Sequence, residues 1–113
     1  MSLPLFAFGT LRCGEENHNF LDGTYDRCLA GTLPDFRKTI AAHGYPAVVP
    51  SPGDCVYGDL FFIRPDLYDQ TLSRCDLLED LTPGQLTGRY YRRAQVTIET
   101  DEGPFAAWAY LVP

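Results

Sequence analysis

The sequence has little positive charge and gathers almost none of it in one place. Nine Lys and Arg stand against fifteen Asp and Glu, a net charge of −6. Gripping a nucleic-acid backbone takes a basic stripe that displaces phosphate counterions. The only basic cluster here is Arg89, Arg92 and Arg93, so a small molecule is the expected partner and nucleic acid is not. Cys13, Cys28, Cys55 and Cys75 contain no C-x-x-C pair, which removes the usual zinc spacing. They are read as reduced thiols that pack as small hydrophobes. The segment Met1-Ser2-Leu3-Pro4-Leu5-Phe6 has no basic leader, and its apolar run is too short for a signal peptide or membrane span. A cytoplasmic protein without membrane attachment is expected.

Other signatures are missing too. There is no G-x-x-x-x-G-K phosphate loop and no G-x-S-x-G turn, and Ser2, Ser51 and Ser73 have no nucleophile setting. His18 and His43 lack ligand-like spacing with each other or with the cysteines, so surface or turn roles are expected. No repeat, low-complexity tract or linker interrupts the chain. Its 113 residues suit one domain over 1–113, since a chain of this length buries roughly two thirds of its unfolded surface, enough for one core.

What is present reads as an α+β pattern. Leu3 to Phe8 predicts a short buried strand stopped by Gly9, and Asn17 to Gly23 leaves room for a helical turn. Cys28 to Leu33 predicts a second strand ended by Pro34. Tyr45 to Gly53 holds three prolines, each without a ladder donor, which argues against a central strand along its whole length. Ser51 to Asp54 marks a turn, and Val56 to Ile63 is rich in branched and aromatic residues, as strands are. Pro65 to Leu81 predicts the one principal helix, with Pro65 at a first helical position, Asp66 and Asp69 at its positive end, and Pro83-Gly84 as the stop. Arg89 to Thr100 and Phe105 to Val112 predict two strands joined by Asp101-Glu102-Gly103. The alternation of Ala94, Val96 and Ile98 with Gln95, Thr97 and Glu99 gives the first of them one wet face. Five or six strands with one helix predict a curled or barrel-like sheet.

Helix phase singles out Glu79. At ~100° per residue, positions 68, 72, 75 and 79 share a narrow sector. Tyr68, Leu72 and Cys75 form a core-facing stripe, and Glu79 continues it, while Asp69, Arg74 and Asp76 lie on other faces. A carboxylate facing a core or cleft loses hydration, which raises its pKa and suits it to proton transfer near neutral pH. Phase alone leaves open a frayed last turn in which Glu79 meets solvent or an arginine. The backbone N–H groups of Gly9, Thr10 and Leu11 can form an anion-receiving nest, although an ordinary turn explains the same residues. Tyr90 and Tyr91 read as core aromatics before site hydroxyls.

Taken in order, these pieces resemble the gamma-glutamylcyclotransferase-like family, nearest its gamma-glutamylamine cyclotransferase branch. Leu5-Phe6-Ala7-Phe8-Gly9-Thr10-Leu11-Arg12 is similar to the family's strand and Tyr-Gly-Ser/Thr-Leu loop, followed by Gly14, Asn17-His18 and Leu21. Tyr45 to Pro50 and Val56-Tyr57-Gly58-Asp59-Leu60-Phe61 resemble its middle motifs. Cys75-Asp76-Leu77-Leu78-Glu79 resembles Leu-Asp-x-hydrophobic-Glu, Tyr91-Arg92-Arg93 resembles Tyr-x-Arg, and Ala107-Trp108-Ala109-Tyr110 resembles the closing strand.

The resemblance implies a small mixed β-barrel flanked by short helices, with Glu79 as the catalytic acid/base. It implies that Phe8, Gly9, Thr10 and Leu11 hold a small gamma-glutamyl substrate and that Tyr91 and Tyr110 line the cavity. The implied reaction cyclises the gamma-glutamyl group to 5-oxoproline and needs no metal or organic cofactor. Three positions depart from the pattern: Phe8 replaces the loop tyrosine, Cys75 replaces the Leu of Leu-Asp, and Asp80 replaces the Gly that commonly follows the Glu. Rival readings are a non-catalytic small-molecule-binding domain of the same fold, an interaction module, and an enzyme that removes a gamma-glutamyl protecting group from a natural-product intermediate.

Overall fold

The computed structural model describes every residue except Met1, Thr10, Ala42, His43 and Tyr45. Five strands form a closed barrel in the order β1-β3-β2-β4-β5, as the α+β reading expected. Strand β1 (Leu5–Ala7) runs antiparallel to β3 (Pro46–Ile63) and touches β5 (Gly103–Leu111) in parallel at Leu5 and Trp108. Strand β2 (Tyr25–Ile40) pairs with β3 and meets β4 (Arg92–Thr100) at Thr32 and Glu99, and the β4–β5 hairpin closes the circle. The helical part is a 3₁₀ turn at Pro65–Leu67 followed by α1 (Tyr68–Leu78), with another 3₁₀ turn at His18–Phe20. No helix among the described residues is long and apolar enough to cross a membrane.

Strand periodicity divides the core into two layers. Phe6, Phe8, Leu33, Val56, Leu60, Ile98, Ala107 and Ala109 fill the barrel interior. Their neighbours Leu5, Ala7, Phe61 and Tyr110 point the other way and pack with Leu72 and Cys75 of α1. Strand β1 is therefore buried on both faces, which explains its unbroken apolar run. A five-stranded barrel has a narrow interior, and small residues make room for the Phe6 ring. A Cβ added at Gly58 would stand 2.3 Å from the Ala7 carbonyl oxygen and 2.6 Å from Phe6 Cζ. Gly58→Ala is expected to destabilise the chain by about 1–3 kcal/mol in urea melts, the usual effect of overpacking a filled core.

Two strand expectations need correction. Strand β2 does not end at Pro34 but continues to Ile40, and β3 runs through the proline-rich stretch. The register jumps from Pro34 opposite Cys55 to Phe36 opposite Pro50, so residues 51–54 bulge out of β3. Asp35 adopts a left-handed φ of 65°, and its carboxylate accepts the Gly53 N–H at 3.0 Å. The turn expected at Ser51 to Asp54 is this bulge, with Ser51 donating to Asp54. Beyond it, among the described residues, Pro46 and Pro50 pair with β2 alone, an edge position where a missing N–H breaks no second ladder. The cysteines also differ from expectation: Cys75 is buried, but Cys13, Cys28 and Cys55 are exposed. His43 and Tyr45 lie outside the described residues.

Candidate active site

The predicted helix Pro65 to Leu81 is shorter in the structure, and the way it ends positions Glu79. Pro65 does open the helical segment, where its missing N–H is harmless. The helix stops before Pro83-Gly84 is reached. The Asp80 N–H donates to the Leu77 carbonyl (3.1 Å) and the Leu81 N–H to the Asp76 carbonyl (2.9 Å). This is the Schellman pattern, with the left-handed residue directly after the C-cap. Glu79 is that C-cap, and Asp80, at φ 60°, is the left-handed residue. The position favours glycine because a Cβ is strained there, a physical reason for the Gly that Asp80 replaces. Asp80→Gly should stabilise the chain by about 1 kcal/mol in denaturant melts.

Glu79 is half-buried and opens into a cavity of ≈ 610 Å³. Its stripe-mates Leu72 and Cys75 are in the core beside Tyr68, so the phase that leads to Glu79 is realised. Burial pushes the Glu79 carboxyl up to about 7, because the anion loses hydration more than the neutral acid does. Phe8, Gly9, Leu11, Tyr91 and Tyr110 line the same cavity, although they are far apart in sequence. Thr10 lies outside the described residues. Tyr91 is both core aromatic and cavity wall: its ring is buried and its hydroxyl donates to the Pro46 carbonyl at 2.7 Å. Tyr90 is more exposed and also borders the cavity.

Two sets of residues escaped the sequence reading. Glu16 and Asn17 line the cavity, carried there by the β1–β2 connection. Asp59 anchors that connection by accepting the Arg12 Nε–H and the Cys13 N–H, each at 3.3 Å. His18 anchors it from within, its Nδ1 2.9 Å from the Leu11 carbonyl. The Asn17-His18 pattern was visible, but it carried no assignment to the cavity.

The other missed residue is Asp76, read as lying on a different face from the core stripe. It accepts the Tyr110 hydroxyl at 2.7 Å and the Arg93 guanidinium in a bidentate pair at 2.9 and 3.2 Å. Arg93 also lies over the Trp108 ring at 4.6 Å, and the Trp108 Nε1–H donates to the Tyr68 hydroxyl at 3.2 Å. Burial first, and then its neighbours Cys75 and Asp76, hold the Tyr110 hydroxyl protonated far beyond the ordinary tyrosine range. Tyr110 therefore presents a fixed ring to the cavity, with its proton committed to Asp76.

Fold and site together define a small closed barrel whose ligand-sized opening holds one partly desolvated carboxylate. The family model described as gamma-glutamyl cyclotransferase, AIG2-like, matches residues 5–113, and the chain belongs to that family of cyclising transferases. A Vibrio cholerae protein provisionally named a gamma-glutamylcyclotransferase is 33% identical over 107 residues, covering 95% of this chain and 79% of the relative. The Homo sapiens gamma-glutamylaminecyclotransferase is 32% identical over 101 residues, covering 71% of this chain and 66% of that protein. The solved structure of YkqA from Bacillus subtilis shares the fold with a TM-score of 0.73 at 24% identity, over 99% of this chain and 36% of that one.

Proposed function

We propose that this chain cyclises a gamma-glutamyl amine or peptide to 5-oxoproline and releases the amine, with Glu79 as the general acid/base. The observation that carries the reading is the half-buried Glu79 carboxyl, raised to about 7, in a cavity shared with Gly9, Leu11, Tyr91 and Tyr110. The substrate's gamma-glutamyl group lies along Phe8 to Leu11, with its carboxylate or carbonyl oxygen toward backbone donors there. Among the described residues, a Cβ at Gly9 would meet only Pro46 Cβ, at 3.9 Å. Packing against those residues does not demand this glycine, whereas close approach of a ligand to the backbone would.

Folding the substrate brings its α-amine beside its own side-chain carbonyl, so the reaction is intramolecular and proximity supplies much of the acceleration. Glu79 takes a proton from the ammonium and the freed amine attacks the carbonyl carbon, closing the five-membered ring. The resulting oxyanion is met by N–H groups of the loop. Glu79 then returns the proton to the leaving nitrogen as the amide C–N bond breaks, and the ring nitrogen's second proton passes to the departing amine, which leaves as an ammonium. A carboxyl near pKa 7 suits both halves of this transfer at neutral pH. Phe8 brings a ring without a hydroxyl to the cavity, so the grip on the substrate depends on backbone and shape more than on a phenol.

The test is incubation of the purified chain with gamma-glutamyl amines, gamma-glutamyl dipeptides and glutathione. 5-Oxoproline is expected from at least one of these substrates. Binding without product would instead support the non-catalytic ligand-binding reading.

A further inference from the structure

A second cluster of reactive side chains lies outside the cavity, on the β1–β2 connection. Cys13, exposed on that connection, has its Sγ 3.9 Å from His18 Nε2 and 3.9 Å from the Tyr25 hydroxyl. The His18 tautomer follows from its other nitrogen. A carbonyl oxygen only accepts, so the Nδ1 that lies 2.9 Å from the Leu11 carbonyl carries the ring proton. In the neutral imidazole Nε2 is then the unprotonated nitrogen, and it faces the Cys13 thiol and the Tyr25 hydroxyl, the latter at 3.2 Å. An imidazole held in this way can take the thiol's proton, which is how a cysteine becomes a nucleophile. Edge contact of the His18 ring with Tyr25, and its tilt against Phe61 at 5.6 Å, keep it in place.

The second thiol is Cys28, near the start of β2 and also exposed; it stands opposite Phe61, against whose ring His18 tilts, two places along β2 from Ala30, which faces the Asp59 that accepts the Cys13 N–H. Partial burial of its sulfur, with Asp59 and Cys13 as lesser contributors, raises it to about 11, so it remains a protonated partner. Tyr25 is pushed up to about 12, by burial first and then by Cys13, and keeps a hydroxyl proton to donate. Among the described residues no group of three or more His, Cys, Asp or Glu has metal-holding geometry.

We propose that Cys13 and Cys28 form a peroxide-reactive thiol pair, with Cys13 oxidised first, assisted by His18, and then captured by Cys28 as a disulfide. His18 accepts the Cys13 proton. The thiolate attacks one oxygen of a hydroperoxide, the O–O bond breaks, and the departing oxygen leaves with the proton from His18 as water or an alcohol. Cys13 is now a sulfenic acid. The Cys28 sulfur attacks it, the S–O bond breaks, and hydroxide leaves with the Cys28 proton as water. Two thiols have given two electrons to one peroxide. The bond ties the connection that carries Leu11, Glu16 and Asn17 of the cavity wall to β2.

Trypsin cuts after Arg12, Arg27 and Arg37, so the two thiols fall on separate peptides, 13–27 and 28–37. The reduced full-length chain is treated with hydrogen peroxide, alkylated and digested without reductant. A linked species of these two peptides, two hydrogens lighter than their sum, is expected. Cys13 should be lost roughly ten times faster than exposed Cys55, the internal control. Cys28→Ser should let a sulfenic acid accumulate at Cys13 that dimedone traps. His18→Gln, which hydrogen-bonds but takes no proton, should slow the Cys13 step roughly tenfold. The oxidised chain should melt higher by roughly 5 °C or more, because the closed loop restricts the unfolded state. Loss of Cys13 no faster than Cys55, a Cys13 sulfenic acid that never links to Cys28, an unchanged rate in His18→Gln, or a lower melting temperature would each overturn the proposal.

Discussion

Glu79→Gln is expected to lower the release of 5-oxoproline by about 10²–10⁴-fold, the usual contribution of a positioned acid/base group. The substitution preserves size and polarity, so the cavity walls stay where they are. What is lost is the capacity to take a proton from the ammonium and return it to the leaving nitrogen. A variant that turned over an accepted substrate at the wild-type rate would end the mechanism. In the wild type, kcat/KM should fall tenfold per pH unit below about 7, where burial places the Glu79 carboxyl, because only the ionised form is a base.

The same variant has a stability signature of the opposite sign. The folded chain holds the Glu79 proton up to about pH 7, whereas the unfolded chain releases it near 4.5. Between those values the native state binds more protons, so this group's contribution to stability falls as pH rises. Above pH 7 the buried anion disfavours the fold by up to about 3 kcal/mol. Glu79→Gln removes that burden. Urea melts should find variant and wild type alike at pH 4.5 and the variant more stable at pH 8. A gain of stability together with a loss of turnover is the mark of a group placed for chemistry at the expense of the fold.

Much of this was legible because it depends on local geometry. The 100° step that aligns Tyr68, Leu72, Cys75 and Glu79 holds in any α-helix, and α1 keeps it through its C-cap. Period-two alternation likewise anticipated the buried Ile98 and the exposed faces of Gln95, Thr97 and Glu99. What was hidden depends on partners distant in sequence. The proline-rich stretch could be judged only by knowing that, among the described residues, its half of β3 pairs with β2 alone. The three exposed cysteines look the same in sequence as the buried Cys75. Asp76 lies off the core stripe by helix phase, and nothing near it in the chain reveals Arg93 and Tyr110, which are 17 and 34 residues away.

Asp76 carries the second large prediction. Its carboxylate and the Arg93 guanidinium are mostly shielded, with side-chain exposures of 19% and 11%. Removing one member of such a pair leaves the other charge desolvated and unmatched, which is more damaging than losing an exposed ion pair. Asp76→Ala is therefore expected to destabilise the chain by about 3–5 kcal/mol in urea melts. Replacing both partners, Asp76→Leu with Arg93→Met, should recover part of that loss, since no buried charge is then left alone. Tyr110→Phe separates structure from function: it deletes the hydroxyl that donates to Asp76 but keeps the ring on the cavity wall. Its stability should fall by about 1.5–3 kcal/mol, the range for a hydrogen bond to a charged group, with kcat nearly unchanged, because the Tyr110 proton is held by Asp76 and the proposed transfer does not use it. A large loss of kcat in a folded Tyr110→Phe would show instead that the phenol reaches the reacting atoms.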